Sequence, residues 1–366
     1  MRILHVIFHL LQGGTERFAV DLCNRLADNP QDEIHLLTIL DDTIPGNSYF
    51  LSRVQDNVFY HNLKQKNALK PKSLLATYKA IKEIDPDIVH MHCSTIPAYL
   101  PALLNRKPAY IHTIHGIADK AISFKWLRPI QRWFFKRELI HPVTISDTCH
   151  ETYRRFYQLE NGTCITNGIE PALQTPIAGE AKKLIEDYKK GPDIPVFLHV
   201  ARCSAEKNQQ LLFDTFNKLH EEGKKFLLLV IGDGYGESEY IKLNDTKQIR
   251  ILGTRENIGD YLACADFFIL TSLWEGLPLS VLEAMSAGCI IISTPAGGVP
   301  DIVKDGTNGF LSPDFTTDGL YRTIIRAMGN RASIDKNAIK EQYLSNHTME
   351  RCAGEYANLY NKLHSE

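Results

Sequence analysis

The sequence predicts an α/β protein built from two doubly wound parallel-sheet domains. Three observations carry this. Apolar strands alternate with amphipathic helices from residue 2 to about 166, a texture of parallel sheets covered on both faces. The same alternation restarts near residue 196, after a stretch over 171–194 rich in proline, lysine and glutamate. At 366 residues the chain also exceeds one typical core. The expected division is a first domain at 1–172, a hinge or linker at 173–194 and a second domain at 195–344. A C-terminal helix over about 345–366 is expected to fold back on the first domain. Ligands of doubly wound sheets sit beyond the carboxyl ends of the strands, so two such domains are expected to face each other across a cleft.

Taken in order, a first buried strand at 2–8 runs into the turn Gln12-Gly13-Gly14-Thr15-Glu16. A helix follows, with Phe18, Ala19, Leu22 and Leu26 on one face, and then a strand at Ile34–Leu40. The pattern continues through helix 73–83, strand 87–92, helix 95–104, strand 109–115 and short strands near 142–145 and 163–166. The second alternation runs through strand 196–201, helix 207–222, strands 226–232 and 249–253, and helix 256–264. Strand 266–270, helix 278–287 and strand 289–293 complete it. One long terminal helix is expected over 337–363.

Composition excludes several classes of function. A hydrophobic fraction of 44% and a charged fraction of 23% describe an ordinary globular protein. A formal charge of −2 argues against a nucleic-acid partner that depends on global basicity. Eight cysteines without a CxxC pair read as small buried hydrophobes in a reduced compartment. The apolar start reads as a strand rather than a signal peptide, and no apolar run is long enough to span a bilayer. The expectation is therefore a cytoplasmic protein. One segment raises peripheral membrane contact: residues 119–138 interleave Lys120, Lys125, Arg128, Arg132, Lys136 and Arg137 with Trp126, Trp133, Phe134 and Phe135. Such a segment suits a membrane surface or an anionic lipid-linked acceptor. It equally suits a helix whose aromatics pack on the sheet while its cations stay solvated.

The most informative run is 271–288, from Thr271 to Gly288. An apolar strand ends in Thr271 and Ser272, Glu275 and Gly276 form a turn, and Pro278 suits a first helical turn because its missing N–H is unpaired there anyway. Gly288 closes the helix that holds Glu283. Two carboxylates and free amides at one strand end suit a polyhydroxylated, anionic ligand. The alternative is that both glutamates are solvated surface charges. After the first strand of the second domain, Arg202 and Lys207 offer a guanidinium fork and an ammonium for a diphosphate. Gly232-Asp-Gly-Tyr-Gly236 is a glycine-rich turn after another strand, without dinucleotide-fingerprint spacing.

In that context Ser272-Leu-Trp-Glu-Gly-Leu-Pro-Leu-Ser-Val-Leu-Glu-Ala-Met-Ser-Ala-Gly288 resembles the signature of the family 4 retaining glycosyltransferases, of the kind that builds bacterial polysaccharides. Supporting phrases run the length of the chain: Gly13-Gly14, His112-Thr-Ile-His115-Gly116, Asn167-Gly-Ile-Glu170, Arg202 with Lys207-Asn208, Gly232-Asp-Gly234, and Gly297-Gly-Val-Pro300 with Asp305-Gly-Thr-Asn-Gly309. The resemblance implies the GT-B fold, two Rossmann-like domains across a cleft with the acceptor on the first and the nucleotide sugar on the second. It implies that Glu275 holds donor-sugar hydroxyls, that backbone N–H groups of Gly276, Leu277 and Leu279 approach sugar and phosphate, and that Glu283 takes the ribose. Arg202 and Lys207 would bind the diphosphate, helped by the amide of Gly14. Gly232 would form a tight turn nearby, while Gly253 and Arg255 border the base and His115 lies near the anomeric centre. The catalytic set is then Glu275, His115, Arg202 and Lys207. Lys125, Arg128, Arg132, Trp133 and Lys136 form the acceptor or membrane side.

The implied reaction is retaining transfer from a nucleotide-diphosphate sugar, UDP before GDP, to a hydroxyl of a glycan or lipid-linked saccharide. The nucleotide sugar is a co-substrate; no cofactor and no metal are expected. Two other readings remain: a nucleotide-sugar epimerase of the same architecture, which needs no acceptor, and a non-catalytic nucleotide-sugar-binding module. A dinucleotide-dependent dehydrogenase falls behind because the first loop lacks Gly-x-Gly-x-x-Gly.

Overall fold

The computed structural model describes residues 1–366 apart from 94–98, 123–124, 190, 237, 246–247 and 366. Contacts divide the chain into two compact units: Met1–Ile169 together with the C-terminal segment from Met349, and Glu170–Thr348. Each is an α/β unit with a fully parallel sheet.

The first unit contains β1 (Arg2–Ile7), β2 (Glu33–Leu40), β3 (Val58–Gln65), β4 (Ile88–Met91), β5 (Ala109–Ile114), β6 (His141–Thr144) and β7 (Thr163–Cys164). Their order is β3-β2-β1-β4-β5-β6-β7. The winding reverses between β1 and β4, and that switch point is where doubly wound sheets open a crevice at their carboxyl ends. Leu4, Val6, Val89 and Met91 are buried in the sheet core. The terminal helix Met349–Ser365 packs against helix Gly14–Leu26 and buries Tyr356 and Tyr360.

The second unit contains β8 (Val196–Val200), β9 (Leu227–Ile231), β10 (Ile249–Gly253), β11 (Phe267–Leu270), β12 (Ile290–Ser293) and β13 (Gly309–Leu311). The order β10-β9-β8-β11-β12-β13 places its switch point between β8 and β11. Every residue of β11 is fully buried, as expected of a central parallel strand. The stretch expected as a linker holds the helix Ala178–Tyr188 and packs on this unit. Asp260 accepts the Thr175 N–H and hydroxyl at 2.6 Å each. A Cβ on Gly259 would lie 2.1 Å from the Leu173 carbonyl oxygen, so only glycine lets this segment lie flat.

Several elements differ from expectation. β3 is an edge strand of mixed exposure, with Phe59 53% exposed, and so lacks the apolar run that marks a central strand. β13 is only three residues long. The helix expected from 207 begins at Gln209, because Asn208 adopts a left-handed conformation (φ 52°, ψ 52°) after a 3-10 turn at Ala205–Lys207. The single terminal helix is two, Lys336–Asn346 and Met349–Ser365, divided at His347-Thr348. Met349 N–H donates to the Ile169 carbonyl at 2.9 Å, starting the last helix beside the end of the first unit's main segment. Of the helix expected over 95–104, residues 95–98 lie outside the described residues and Pro101–Leu104 is helical. No helix among the described residues is long and apolar enough to cross a membrane.

The first unit buries unusual polarity. His5 on β1 is paired in register with His90 on β4, and alternation puts His92 on the same face as His90. His5, His90, His92 and His112 are all at most 6% exposed. Burial pushes His5 and His112 down to about 3, and His199 of β8 to about 4. These folded values lie below the ordinary 6.5, so at acidic pH the unfolded chain binds more protons. Stability is therefore complete above about 6.5 and is lost as pH falls toward 3, by ~1.4 kcal/mol per pH unit for each proton taken up. Urea denaturation at pH 7.5, 6 and 5 should show a midpoint that falls steadily below pH 6.5. An unchanged midpoint would contradict the neutral buried imidazoles.

Candidate functional site

At the switch point of the second unit, the loop after β8 and the loop after β11 are stitched together. Thr271 Oγ1 donates to the Lys207 carbonyl at 2.9 Å, and Leu273 N–H donates to the Glu206 carbonyl at 2.8 Å. This backbone lacing aims two side chains at each other. Lys207 Nζ donates to Glu275 Oε1 at 2.6 Å, and Ser272 Oγ donates to the same oxygen at 2.6 Å. The lysine and glutamate side chains are 21% and 11% exposed, so the charge-assisted contact is only partly screened. Glu275 Oε2 has no partner among the described residues.

The loop after β12 fixes the backbone beneath this pair. Gly297 has φ +52°, and a Cβ there would lie 1.8 Å from the Glu275 carbonyl oxygen. Gly298 N–H donates to the Gly276 carbonyl at 2.9 Å, and Thr294 Oγ1 to the Ser272 carbonyl at 2.6 Å. Helix Leu279–Ala287 then starts after Pro278, and no side chain caps it. Its first amides point out of an uncapped helix N-terminus, which attracts anions.

The other residues expected at the donor lie on the neighbouring loops of this unit. Arg202 follows β8, with a side chain 53% exposed and 3.7 Å from Glu206. Gln209 pins its loop, donating to the Arg202 carbonyl at 2.7 Å while accepting the Ser204 N–H at 3.3 Å. Gly232 follows β9, where a Cβ would lie 1.9 Å from the Ala201 carbonyl oxygen, and its N–H donates to the Gly253 carbonyl at 3.0 Å. The loops after β8, β9 and β10 are thereby joined. Arg255 is exposed at the β10 margin of the sheet. Glu283 lies half-buried in the second turn of its helix. Burial, with Glu170 and Glu283 nearby, pushes the Tyr343 phenol up. Ser272, Thr271, Gln209 and the Gly297-Gly298 contact complete the site. Sequence alone marked the first two only as a polar strand end and left Gln209 without a role.

The first unit presents a separate pocket of about 260 Å³ at the carboxyl ends of β1, β4 and β5. Ile7, Phe8, Thr15, Glu16, His92 and His115 line it. Glu16 folds back over Gly13, where a Cβ would meet its Oε2 at 2.3 Å, and Gly14 stands in open space at the start of its helix. His115 Nε2 lies 2.9 Å from His92 Nδ1. Burial pushes His115 down to about 3, so the ring is neutral at physiological pH.

The basic aromatic segment divides by side chain. Arg128 Nε and Arg132 Nε each donate at 2.7 Å to the carbonyls of Phe156 and Tyr157, the last residues of helix Asp147–Tyr157. A cation there also opposes the negative helix end. These two arginines thus fasten helix Arg128–Lys136 to the fold, while Phe134 and Phe135 are buried beneath it. Trp126 and Trp133 are 61% and 45% exposed, and Lys125 and Lys136 are also exposed. Residues 123–124 of the segment lie outside the described residues.

Two groups deserve a metal test. Ligand atoms of His5, His90 and His92 lie within 4.8 Å of one another. Yet both nitrogens of His90 are bonded, to the Tyr360 hydroxyl and Thr113 Oγ1 at 2.7 Å each, and both of His92 contact other imidazoles. Only His5 Nε2 lacks a partner. The donor set does not fit a cation without breaking these bonds. The triplet Asp85-Pro86-Asp87 precedes β4, at the opposite end of the strands from the pocket. There Asp85 pairs with Lys107, and Asp87 accepts the Arg2 N–H at 2.8 Å.

Comparison with known proteins adds the following. Residues 12–173 match the family described as Glycosyltransferase Family 4, and residues 194–330 that described as Glycosyl transferases group 1. An Escherichia coli UDP-Gal:alpha-D-GlcNAc-diphosphoundecaprenol alpha-1,3-galactosyltransferase is 26% identical over 356 residues, covering 90% of this chain and 89% of that protein. The N-acetyl-alpha-D-glucosaminyl L-malate synthase of Bacillus anthracis is 24% identical over 373 residues, 95% of this chain and 93% of the relative. Among solved structures, Anabaena HepE in complex with UDP and glucose superposes with a TM-score of 0.79 at 18% identity, covering 99% of this chain and 100% of that one.

The glycine at 297 gives a direct test of the site's architecture. Gly297→Ala combines a left-handed φ with a backbone clash. It should cost about 2 kcal/mol or more, visible as a lower thermal transition of the second unit. A transition unchanged within about 0.5 kcal/mol would mean that the Glu275 backbone is not held from below.

Proposed function

The chain belongs to glycosyltransferase family 4 and has the two parallel-sheet α/β domains of GT-B enzymes, and from that premise we propose that it transfers a sugar with retention of configuration from a uridine diphosphate sugar to a hydroxyl of a lipid-linked or glycan acceptor. The observation that carries the proposal is the Lys207–Glu275 pair at the second unit's switch point, beside Arg202 and the uncapped N-terminus of helix Leu279–Ala287. Glu275 Oε1 is occupied by Lys207 and Ser272, which leaves Oε2 to accept from sugar hydroxyls. Two remaining N–H bonds of Lys207, the Arg202 guanidinium and the helix amides face the diphosphate. They stabilise the charge that develops on it as the glycosidic bond breaks. The transition state is oxocarbenium-like. A diphosphate oxygen assists deprotonation of the incoming hydroxyl on the same face, and no carboxylate attacks. Glu283 binds the ribose and Gly253 and Arg255 border the base, while Gly14 and His115 are the first unit's own substrate-facing residues. No step requires a metal.

UDP is favoured because HepE is seen with UDP and the E. coli relative is named for UDP-Gal. That relative's name also specifies a diphosphoundecaprenol acceptor. Exposed Trp126 and Trp133 beside Lys125 and Lys136 suit an acceptor of that class, an anionic lipid-linked saccharide at a membrane surface.

Arg202→Ala and Lys207→Ala should each lower turnover roughly a hundredfold or more, the range for losing one well-placed donor to a developing anion. Near-normal turnover in either variant would remove the assigned role. In the same assay, Trp126→Ser with Trp133→Ser should slow transfer to a vesicle-embedded acceptor and leave a detergent-free soluble acceptor unaffected. Equal effects on both would dismiss the membrane-facing role.

A further inference from the structure

Three imidazoles run in series from the interior of the first unit to its pocket. His5 Nδ1 lies 3.0 Å from His92 Nε2, and His92 Nδ1 lies 2.9 Å from His115 Nε2. His5 is 0% exposed and His92 6%. Beyond His115 the series ends at the pocket, where the ring lies among Thr15, Glu16 and Phe8. Its Nδ1 has no partner among the described residues. The groups packed around the series are His90, His112, Tyr360 and the edge-on ring of Phe18. His90 is itself tied to Tyr360 and Thr113.

A neutral imidazole holds one N–H and one lone pair. A contact of hydrogen-bond length between two ring nitrogens needs one N–H within it. Two such contacts across three neutral rings leave two proton patterns: all three rings protonated at Nδ1, or all three at Nε2. The rings cannot choose separately. Burial holds each of them neutral, His5 and His115 at about 3 and His92 well below its ordinary value. At the inner end His5 Nε2 has no partner, an orphan N–H in the Nε2 pattern and an orphan lone pair in the Nδ1 pattern. Against that single orphan stands the preference of all three coupled rings: Nε2–H is the more stable tautomer of free histidine in water.

We propose that His5 and His92 are positioning residues that hold His115 in its Nε2–H form, so that the Nδ1 lone pair faces the pocket and accepts a hydrogen bond from a hydroxyl of the bound sugar. His115 then orients that hydroxyl without removing its proton. A proton passed inward would leave a charge on fully buried His5, where burial strongly disfavours it. The proposal rests on the reading of His115 as a substrate-facing residue. Its first test does not use activity, so the two can fail separately.

The test is a two-bond proton–nitrogen correlation spectrum of the full-length protein labelled with ¹⁵N-histidine, without ligand. The His115 resonances are assigned by their loss in His115→Gln. In the wild type they should show a protonated Nε2 and a bare Nδ1, unchanged from pH 8 to 5.5. His92→Phe should release the ring, giving mixed tautomers and titration near the ordinary 6.5. At pH 8 that variant should raise KM for the sugar substrate about fivefold, the order of one neutral hydrogen bond, with kcat little changed. His92→Asn keeps a carbonyl opposite His115 Nε2–H and should restore both the tautomer and KM. A wild-type His115 protonated at Nδ1, or one that titrates within this range, overturns the proposal. The expected tautomer with an unmoved KM in His92→Phe overturns the hydroxyl contact.

Discussion

The contact between Lys207 and Glu275 joins the two strand ends at which the second sheet reverses its winding, and the loops around it are arranged to hold it. Parallel sheets leave a gap where the chain order reverses, and here that gap falls between β8 and β11. Lys207 arrives from one side because Asn208 takes a left-handed turn that ends the loop at the right residue. Glu275 arrives from the other because Gly297 and Gly298 leave its backbone room. Ser272 supplies a second donor to the same carboxylate oxygen. The pair lies in a partly dry environment, where a carboxylate held on one oxygen is rigid and keeps its other oxygen for a ligand.

The first unit follows a different logic. Its pocket at the ends of β1, β4 and β5 is backed by neutral histidines where aliphatic residues would pack more simply. Each of these rings costs desolvation, and hydrogen bonds offset it by linking one ring to the next or to Tyr360, Thr113 and Tyr99. Such a network is rigid because a change at one nitrogen must be answered at its neighbour. The interior of this sheet thus sets the polarity that the pocket presents.

Much of this was legible in the sequence, for reasons that differ by element. The fold class followed from two rounds of strand–helix alternation, and the run 271–288 stood out because a buried strand, a turn, a proline and a helix follow one another without ambiguity. β3 escaped because an edge strand mixes exposed and buried positions, and β13 because three residues make no pattern. The break at His347-Thr348 was hidden because the helical periodicity on each side is sound and only the division into two units separates them. Within the site, residue types were readable and partners were not. Lys207 was expected to meet only a diphosphate, yet its nearest anion is Glu275. Arg128 and Arg132 looked like surface cations, but each ties one helix to the carboxyl end of another. The histidine series depends on strand register between β1, β4 and β5, which no local pattern reveals.

The most direct test of the central claim is calorimetric titration of the wild-type protein and its Glu275→Gln and Lys207→Ala variants with UDP and with UMP. The account predicts saturable binding of one UDP per chain, weaker binding of UMP, and loss of that UDP preference in Lys207→Ala. Glu275→Gln should still bind UDP, because its role is toward the sugar. Absence of UDP binding, or an unchanged preference for UDP over UMP in Lys207→Ala, would contradict the assignment of the β8–β11 switch point as the diphosphate seat.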